Sequence, residues 1–299
     1  MRMKLQLSLG MKSVVIAAAA LATLAGQMPV TAQGEPPRLP PGVASLRDPQ
    51  PAPALWMWHM GMLRGQREAD GVAMLEILRS KGTIRVGGQP CTLTNYRGSI
   101  NYQTPGMRAQ YSCTTPDGQT HKAIEVVSEQ FAWDEDIMGA ELVPGKGKAT
   151  PNQAALNERL IRLWSGPQGA PKAAHAAGAN TKVTTEGGKT VLTYPIPGVA
   201  GAVARATLTA GTGEGPCAKN CAERIEVRQG NVVTEFTYSD YGDYNEPLNR
   251  IEAFFPGHVV EKRDGVTILD LSIVETETGN PYVIMPVPAS VRKAAAATR

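Results

Sequence analysis

The chain has 299 residues, with 30 basic and 27 acidic side chains and a formal net charge of +3. Three of the basic residues (Arg2, Lys4 and Lys12) fall in the first 32 positions, so the remainder carries 27 of each sign. A body so balanced argues against nucleic-acid binding and against a strong global attraction to anionic lipid.

The first 32 residues have the layout of a secretory signal. A basic start precedes an uncharged, largely apolar run from Ser13 to Gly26, and Val30-Thr31-Ala32 places small residues where a signal peptidase reads. The run is too short and too alanine-rich for a transmembrane helix. The spacing predicts a mature chain starting near Gln33, in the periplasm or outside the cell. No cysteine sits at the predicted cut, which argues against a bacterial-type lipid anchor. Residues 33–54 hold seven prolines and read as an extended linker. The folded body is expected over 55–292, and the alanine-rich tail 293–299 is expected to fray.

Within the body, 55–67 is rich in Trp and Met, and Leu55, Trp58 and Met62 follow helical spacing. Residues 70–81 fit either a helix face (Val72, Leu75, Leu78) or the approach to a strand. From Thr83 short β-forming runs alternate with Gly, Asn, Asp and Pro. Strands are predicted at 83–86, 91–96, 99–103, 108–114, 123–128 and 131–133, with Pro116-Asp117-Gly118 as a turn. A helix follows. Thr150-Pro151 offers an N-cap and a first-turn proline, Leu156, Leu160, Leu163 and Trp164 form one apolar stripe, and Gly166-Pro167 ends it. Residues 165–181 read as a loop with room for a short helix. Strands resume at 181–185, 190–196, 203–208, 223–228, 232–238, 250–254, 259–263 and 266–273, and 281–287 is a candidate closing strand. In 232–238, Val232, Thr234, Phe236 and Tyr238 share one face.

This order, with local hairpins and no strand–helix–strand repeat, predicts an α+β fold: one large, curved antiparallel sheet, an open half-barrel, with helices covering its concave face. Such a face commonly encloses an apolar ligand site.

Four cysteines in an exported chain read as two disulfides, and three connectivities are open. The local pairing, Cys91–Cys113 and Cys217–Cys221, is favoured because each bond then stays within one strand-rich unit. Cys217 and Cys221 have the spacing Cys-x3-Cys, unlike thioredoxin-like redox sites, and no histidine is near. Met57, His59, Met60 and Met62 offer soft ligands for copper, but helical spacing turns His59 away from the methionines, and an apolar helix face fits better. Asp240, Asp243, Asn245 and Glu246 lack the glycine and terminal glutamate of a calcium loop. No cofactor is predicted. The chain contains no nucleophile elbow, zinc-helix motif or phosphate loop, and its four histidines (His59, His121, His175 and His258) are widely spaced.

Two segments resemble a known family. Thr104-Pro105-Gly106-Met107-Arg108-Ala109-Gln110-Tyr111, continuing through Ala123-Ile124-Glu125-Val126-Val127 to Phe131-Ala132-Trp133-Asp134, resembles the LolA lipoprotein carriers. There, a Pro-Gly-x-x-Arg strand runs through a turn into a strand ending in Trp-x-Asp or a similar run. Glu235-Phe236-Thr237-Tyr238-Ser239-Asp240-Tyr241-Gly242, with Asn245-Glu246-Pro247-Leu248 and Ile251-Glu252-Ala253-Phe254-Phe255-Pro256, resembles a late strand–loop–strand of LolA and of the related LppX and LprG lipid-binding proteins. The resemblance implies an open half-barrel with helices over its mouth and a role in carrying lipids or lipid-modified proteins through the envelope. By motif position Arg108 matches the family arginine associated with closing the barrel against its helices. Ser128-Glu129-Gln130 lacks the Asp-Gly turn usual at that place, and 257–292 extends past the usual last strand.

The expected function is thus a non-catalytic envelope protein binding a lipid, an acylated protein or another hydrophobic ligand. Its ligand surface is expected at Trp58, Met60, Met62, Leu160, Trp164 and Arg108, with no nucleic-acid partner and no stable membrane span. The alternatives are a structural or interaction module without a cavity and an exported hydrolase.

Overall fold

Side-chain alternation with a period of two carries most of the chain into strands. The computed structural model describes residues 74–209, 221–243 and 254–297. In chain order the elements are β1 (Met74–Val86), β2 (Gln89–Asn101), β3 (Gly106–Thr114), β4 (Thr120–Ser128), β5 (Phe131–Glu135) and β6 (Ala149–Pro151). Two helices follow, α1 (Leu156–Trp164) and α2 (Gly169–Ala177). Then come β7 (Lys182–Glu186), β8 (Lys189–Pro195), β9 (Ala202–Leu208), β10 (Ala222–Gln229), β11 (Val232–Asp243), β12 (Phe254–Arg263), β13 (Val266–Thr278) and α3 (Ala289–Ala297).

All thirteen strands join one sheet in the order β6-β5-β4-β3-β2-β1-β13-β12-β11-β10-β9-β8-β7, and every neighbouring pair is antiparallel. The sheet is therefore two meanders zipped together by the β1–β13 ladder. It is open, because β6 and β7 are its two edges. Helices α1 and α2 lie in the one connection that runs from one edge to the other.

Several expectations are corrected. The ambiguous run 70–81 is strand from Met74 onward. A register shift at Ile77–Arg79–Ser80 moves the buried positions from Leu75 and Ile77 to Ser80 and Ile84. This bulge breaks the period of two and leaves a helix-like spacing in the sequence. The runs 91–96 and 99–103 form one strand, β2. Thr150 and Pro151 belong to β6 and not to a helix cap. Proline is tolerated there because β6 is an edge. A 3-10 turn (Gln153–Ala155) then leads into α1, whose N-cap residue Ala155 makes no side-chain capping bond. Val232 is 41% exposed and does not share the burial of Thr234, Phe236 and Tyr238.

The stretch 281–287 forms no strand. It crosses the sheet as an irregular strap, held where Asn101 Nδ2 donates to the Val283 carbonyl at 2.7 Å. The alanine-rich end does not fray as expected: residues up to Ala297 form helix α3, alanine being the strongest helix former. Val291 of α3 is buried, and Ala295 packs beside it. The predicted strand 250–254 is described only at its last residue, which begins β12. The signal, the linker and the Trp- and Met-rich helix lie outside the described residues.

Three groups of buried side chains stabilise the sheet. The largest joins α1 and α2 (Leu160, Leu163, Trp164, Ala170, Ala173) to Met107, Val127, Leu192, Tyr194, Ile225 and Phe236. A second lies over β1–β3, β12 and β13, around Leu75, Tyr96, Tyr111 and Leu271. The third holds Val126, Trp133, Val283, Met285 and Val291 on the other face of β4 and β5. Each fully buried Leu or Val contributes roughly 1.5–3 kcal/mol over its exposed state. Cys91 and Cys113 are disulfide-bonded within the second group, as the local pairing predicts. Cys221 is also disulfide-bonded; its expected partner, Cys217, lies outside the described residues.

Candidate functional site

Helix α1 is buried nearly all round, and its side chains divide into two functional sides. On one side are arginines. Arg159 is 4% exposed; its Nη1 donates to the carbonyls of Val126 at 3.0 Å and Trp133 at 2.7 Å, and its Nη2 meets Asp134 Oδ1 at 2.5 Å. Arg162 Nε donates to Glu261 Oε2 at 2.7 Å and its Nη2 to Glu261 Oε1 at 3.1 Å, a two-pronged pair. Glu158 Oε1 lies 3.3 Å and Glu125 Oε2 3.8 Å from the same guanidinium. Burial pushes the Arg162 pKa down, but Glu261 and the other carboxylates outweigh it and hold the pKa well above the ordinary arginine value. Glu261 is 1% exposed and stands on the face of β12 that carries Val259, opposite Leu269.

Beneath this junction lies a small pocket of ≈ 70 Å³, lined by Tyr96, Tyr102, Met107, Arg162, Phe236, Tyr238, Leu269 and neighbours. The tyrosines around it are neutral. Burial raises the Tyr96 pKa to about 12, and it also raises those of Tyr102 and Tyr238 and of the neighbouring buried Tyr194. Two of them tie the sheet to the helix end: Tyr238 Oη donates to the Ser165 carbonyl at 2.5 Å and Tyr194 Oη to the Trp164 carbonyl at 3.4 Å.

The other side of α1 carries Leu160 and Trp164, two of the sequence-predicted ligand residues. Both line a groove of ≈ 920 Å³. Its walls are Thr104 and Pro105 from the β2–β3 loop, Ser128, Glu129 and Gln130 from the β4–β5 turn, and Pro197 and Gly198 from the β8–β9 turn. Ile284, Met285 and Pro286 of the C-terminal strap complete it. The loops are braced: Glu129 N donates to the Pro105 carbonyl at 3.1 Å, and Arg292 of α3 bonds Glu129 at 3.0 Å while covering the Phe131 ring at 5.2 Å. The groove combines an apolar wall with a short polar rim, which suits a ligand that has an apolar body and one polar end.

The structure does not bring the predicted residues together as one set. Arg108 is 8% exposed. It pairs with Val126, which pairs with Trp133, so it shares the face of the third buried group, away from Met107 and Tyr111. There its Nε forms an ion pair with Glu135 Oε2 at 3.3 Å, and the hydrogen bonds of Glu135 come from Trp133 Nε1 at 3.0 Å and Gly139 N at 2.8 Å. Arg108 thus braces β3 against β5, and Arg159 and Arg162 are the arginines that join helix to sheet. Trp58, Met60 and Met62 lie outside the described residues.

Sequence reasoning missed Arg159, Arg162 and Glu261. The available signal was a carboxylate at an alternation position where Val259 predicts an apolar residue, together with arginines three apart on an otherwise apolar helix. His258 Nε2 lies 2.8 Å from Asp270 Oδ1 on β12 and β13, with side chains 38% and 44% exposed, and no histidine lines either the groove or the small pocket. Among the described residues no helix is long and apolar enough to cross a membrane, and no cluster of His, Cys, Asp and Glu is arranged to hold a metal. No protein-family model matches the chain, and no curated protein matches it in sequence.

Proposed function

We propose that this protein is an exported, non-catalytic binder of an amphipathic apolar ligand, a lipid or an acylated protein, held in the groove beside Leu160 and Trp164. The observation that carries the reading is the size and lining of that groove. At ≈ 920 Å³ it falls within the roughly 300–1,000 Å³ typical of ligand sites.

A curved half-barrel with helices on its concave side, and with it a LolA/LppX-like relationship, belongs to the same reading. Its support is the reach of Arg162. Glu125 stands on β4 and Glu261 on β12, five strand spacings apart in the sheet order. Those five spacings amount to about 24 Å in a flat sheet. One guanidinium approaches both carboxylates within 3.8 Å, as strong curling around α1 would allow. Three disulfide-bonded cysteines, Cys91, Cys113 and Cys221, accord with export to the periplasm or beyond.

The small pocket favours a second reading, an interaction module, for the region under the helices alone. At ≈ 70 Å³ it has room for about two waters and none for an acyl chain. The test is to purify the protein under native conditions, extract it with solvent and identify bound lipid by mass spectrometry. A stoichiometric lipid that is lost from a Leu160→Asp variant of unchanged circular dichroism supports the carrier reading. Protein that emerges empty and stays empty when offered lipid supports the module.

A further inference from the structure

A third feature is independent of the groove. The connection 136–148 between β5 and β6 holds four large apolar side chains in water: Ile137 (48% exposed), Met138 (58%), Leu142 (48%) and Val143 (51%). Scattered exposed hydrophobic residues are ordinary, but four within seven positions form a patch that calls for a partner. The loop is built to present them. Leu142 N donates to the Gly139 carbonyl at 3.2 Å, Glu141 N to the Lys146 carbonyl at 2.8 Å, Lys146 N to the Val143 carbonyl at 3.0 Å and Asp136 N to the Lys148 carbonyl at 3.2 Å. Ile137 lies over Gly147, where an added Cβ would meet its Cγ1 at 2.5 Å, and the φ of +71° there also favours glycine. Among the described residues, a loop so cross-bonded holds its apolar tip outward.

The charges of the loop are sorted. Its two carboxylates are already engaged: Asp136 Oδ1 accepts from Lys148 N at 2.7 Å, and Glu141 is bonded by Ser290 of α3 and accepts at Oε1 from Ala149 N of β6 at 3.1 Å. Lys146 and Lys148 are exposed, and no hydrogen bond or ion pair is described for either side-chain ammonium. We propose that loop 136–148 docks this protein peripherally on a lipid bilayer surface, with Met138 and Leu142 entering the interface and Lys146 and Lys148 meeting anionic headgroups. The tip is too small for a stable protein partner. Specific interfaces engage about 20–30 residues a side, whereas a few apolar side chains backed by lysines suffice to lodge at a bilayer boundary. The balanced charge of the body is consistent with this, because the attachment is local and chiefly apolar.

The experiment is flotation of the purified protein with vesicles of phosphatidylcholine alone or with added phosphatidylglycerol. Its variants are Met138→Asp with Leu142→Asp and, separately, Lys146→Glu with Lys148→Glu. Both pairs change exposed residues, and thermal melting checks that the fold is kept. The expected result is flotation of the wild type, a loss of about tenfold or more in the apolar pair, and loss of the phosphatidylglycerol preference in the lysine pair. Wild-type protein that stays at the bottom overturns the proposal, as does an apolar pair that floats equally well. A wild-type dimer that fails to float and dissociates in the apolar pair also overturns it, and assigns the patch to a second copy. A Thr104→Trp variant, altered only at the groove, floats like the wild type, so failure of the ligand reading and failure of this one are distinguishable.

Discussion

The two sides of helix α1 show how one element can lock a fold and leave a site open. Its arginine side is saturated: Arg159 and Arg162 meet carbonyls and carboxylates from β4, β5 and β12, and the space beneath holds only ≈ 70 Å³. Its Leu160 and Trp164 side faces ≈ 920 Å³ bounded by turns and a strap. Charge therefore sits where the structure must not move, and apolar surface is left where something else can bind. Arginine suits the first task because its planar fork holds a carboxylate at two points and stays charged when buried. Leu and Trp suit the second because they offer a large apolar area.

The largest expected effect breaks the locked side. Glu261→Ala leaves the Arg162 guanidinium, 13% exposed, without its two-pronged partner, and is expected to cost about 3–5 kcal/mol in urea unfolding. Replacing both partners, Arg162→Met with Glu261→Leu, recovers most of that loss, because a paired apolar substitution leaves no stranded charge. A double variant as unstable as the single one would mean that the ion pair itself, and not the stranded arginine, sets the cost. Next in size is the Cys91–Cys113 disulfide, which spans 22 residues between β2 and β3. Removing it with Cys91→Ala and Cys113→Ala lowers stability by about 3 kcal/mol, read from denaturant midpoints. Ligand uptake by the folded fraction is unchanged, because the bond lies away from the groove.

The smallest effect is a pH dependence of the locked side. Burial works against the Glu158 carboxylate, yet Arg263, Arg162 and Arg159 hold its pKa below the ordinary value of 4.5. A carboxyl with a lowered folded-state pKa contributes stability that is present above its unfolded value and is lost as pH falls through the folded one. Stability is thus expected to fall below about pH 4.5, and Glu158→Gln to flatten that part of the profile. An unchanged acid limb in the variant would remove Glu158 from the account.

Strand texture made much of the sheet legible in the sequence. Wherever alternation ran unbroken, as in Arg108–Thr114 or Val203–Leu208, the strand falls where expected, and the apolar stripe Leu156–Trp164 marks α1. The bulge in β1 hid a strand because it shifts the buried parity between Ile77 and Ser80. Pro151 read as a helix start because a proline in an edge strand and one in a first turn obey the same local rule, the missing amide donor. The pairing of β1 with β13 joins residues some two hundred positions apart, and no local pattern encodes it. At the candidate site, Leu160 and Trp164 were readable from periodicity. Arg162 and Glu261 were not, since their partnership exists only after β12 takes its place near β1. Arg108 was assigned by motif position, and the register that turns it toward Glu135 comes from the neighbouring strands.

The central claim is that ligand binds in the large groove beside α1 and not in the small pocket beneath it. The most direct measurement is the affinity of a fluorescent fatty-acid analogue for the wild type and two variants. Thr104→Trp fills the groove from an exposed position. Leu269→Ala enlarges the small pocket at a cost of about 2–5 kcal/mol in stability. The account predicts saturable uptake by the wild type, a loss of about tenfold or more in Thr104→Trp, and an unchanged affinity in Leu269→Ala. Uptake that is indifferent to Thr104→Trp and strengthened by Leu269→Ala would contradict it and put the ligand under the helices.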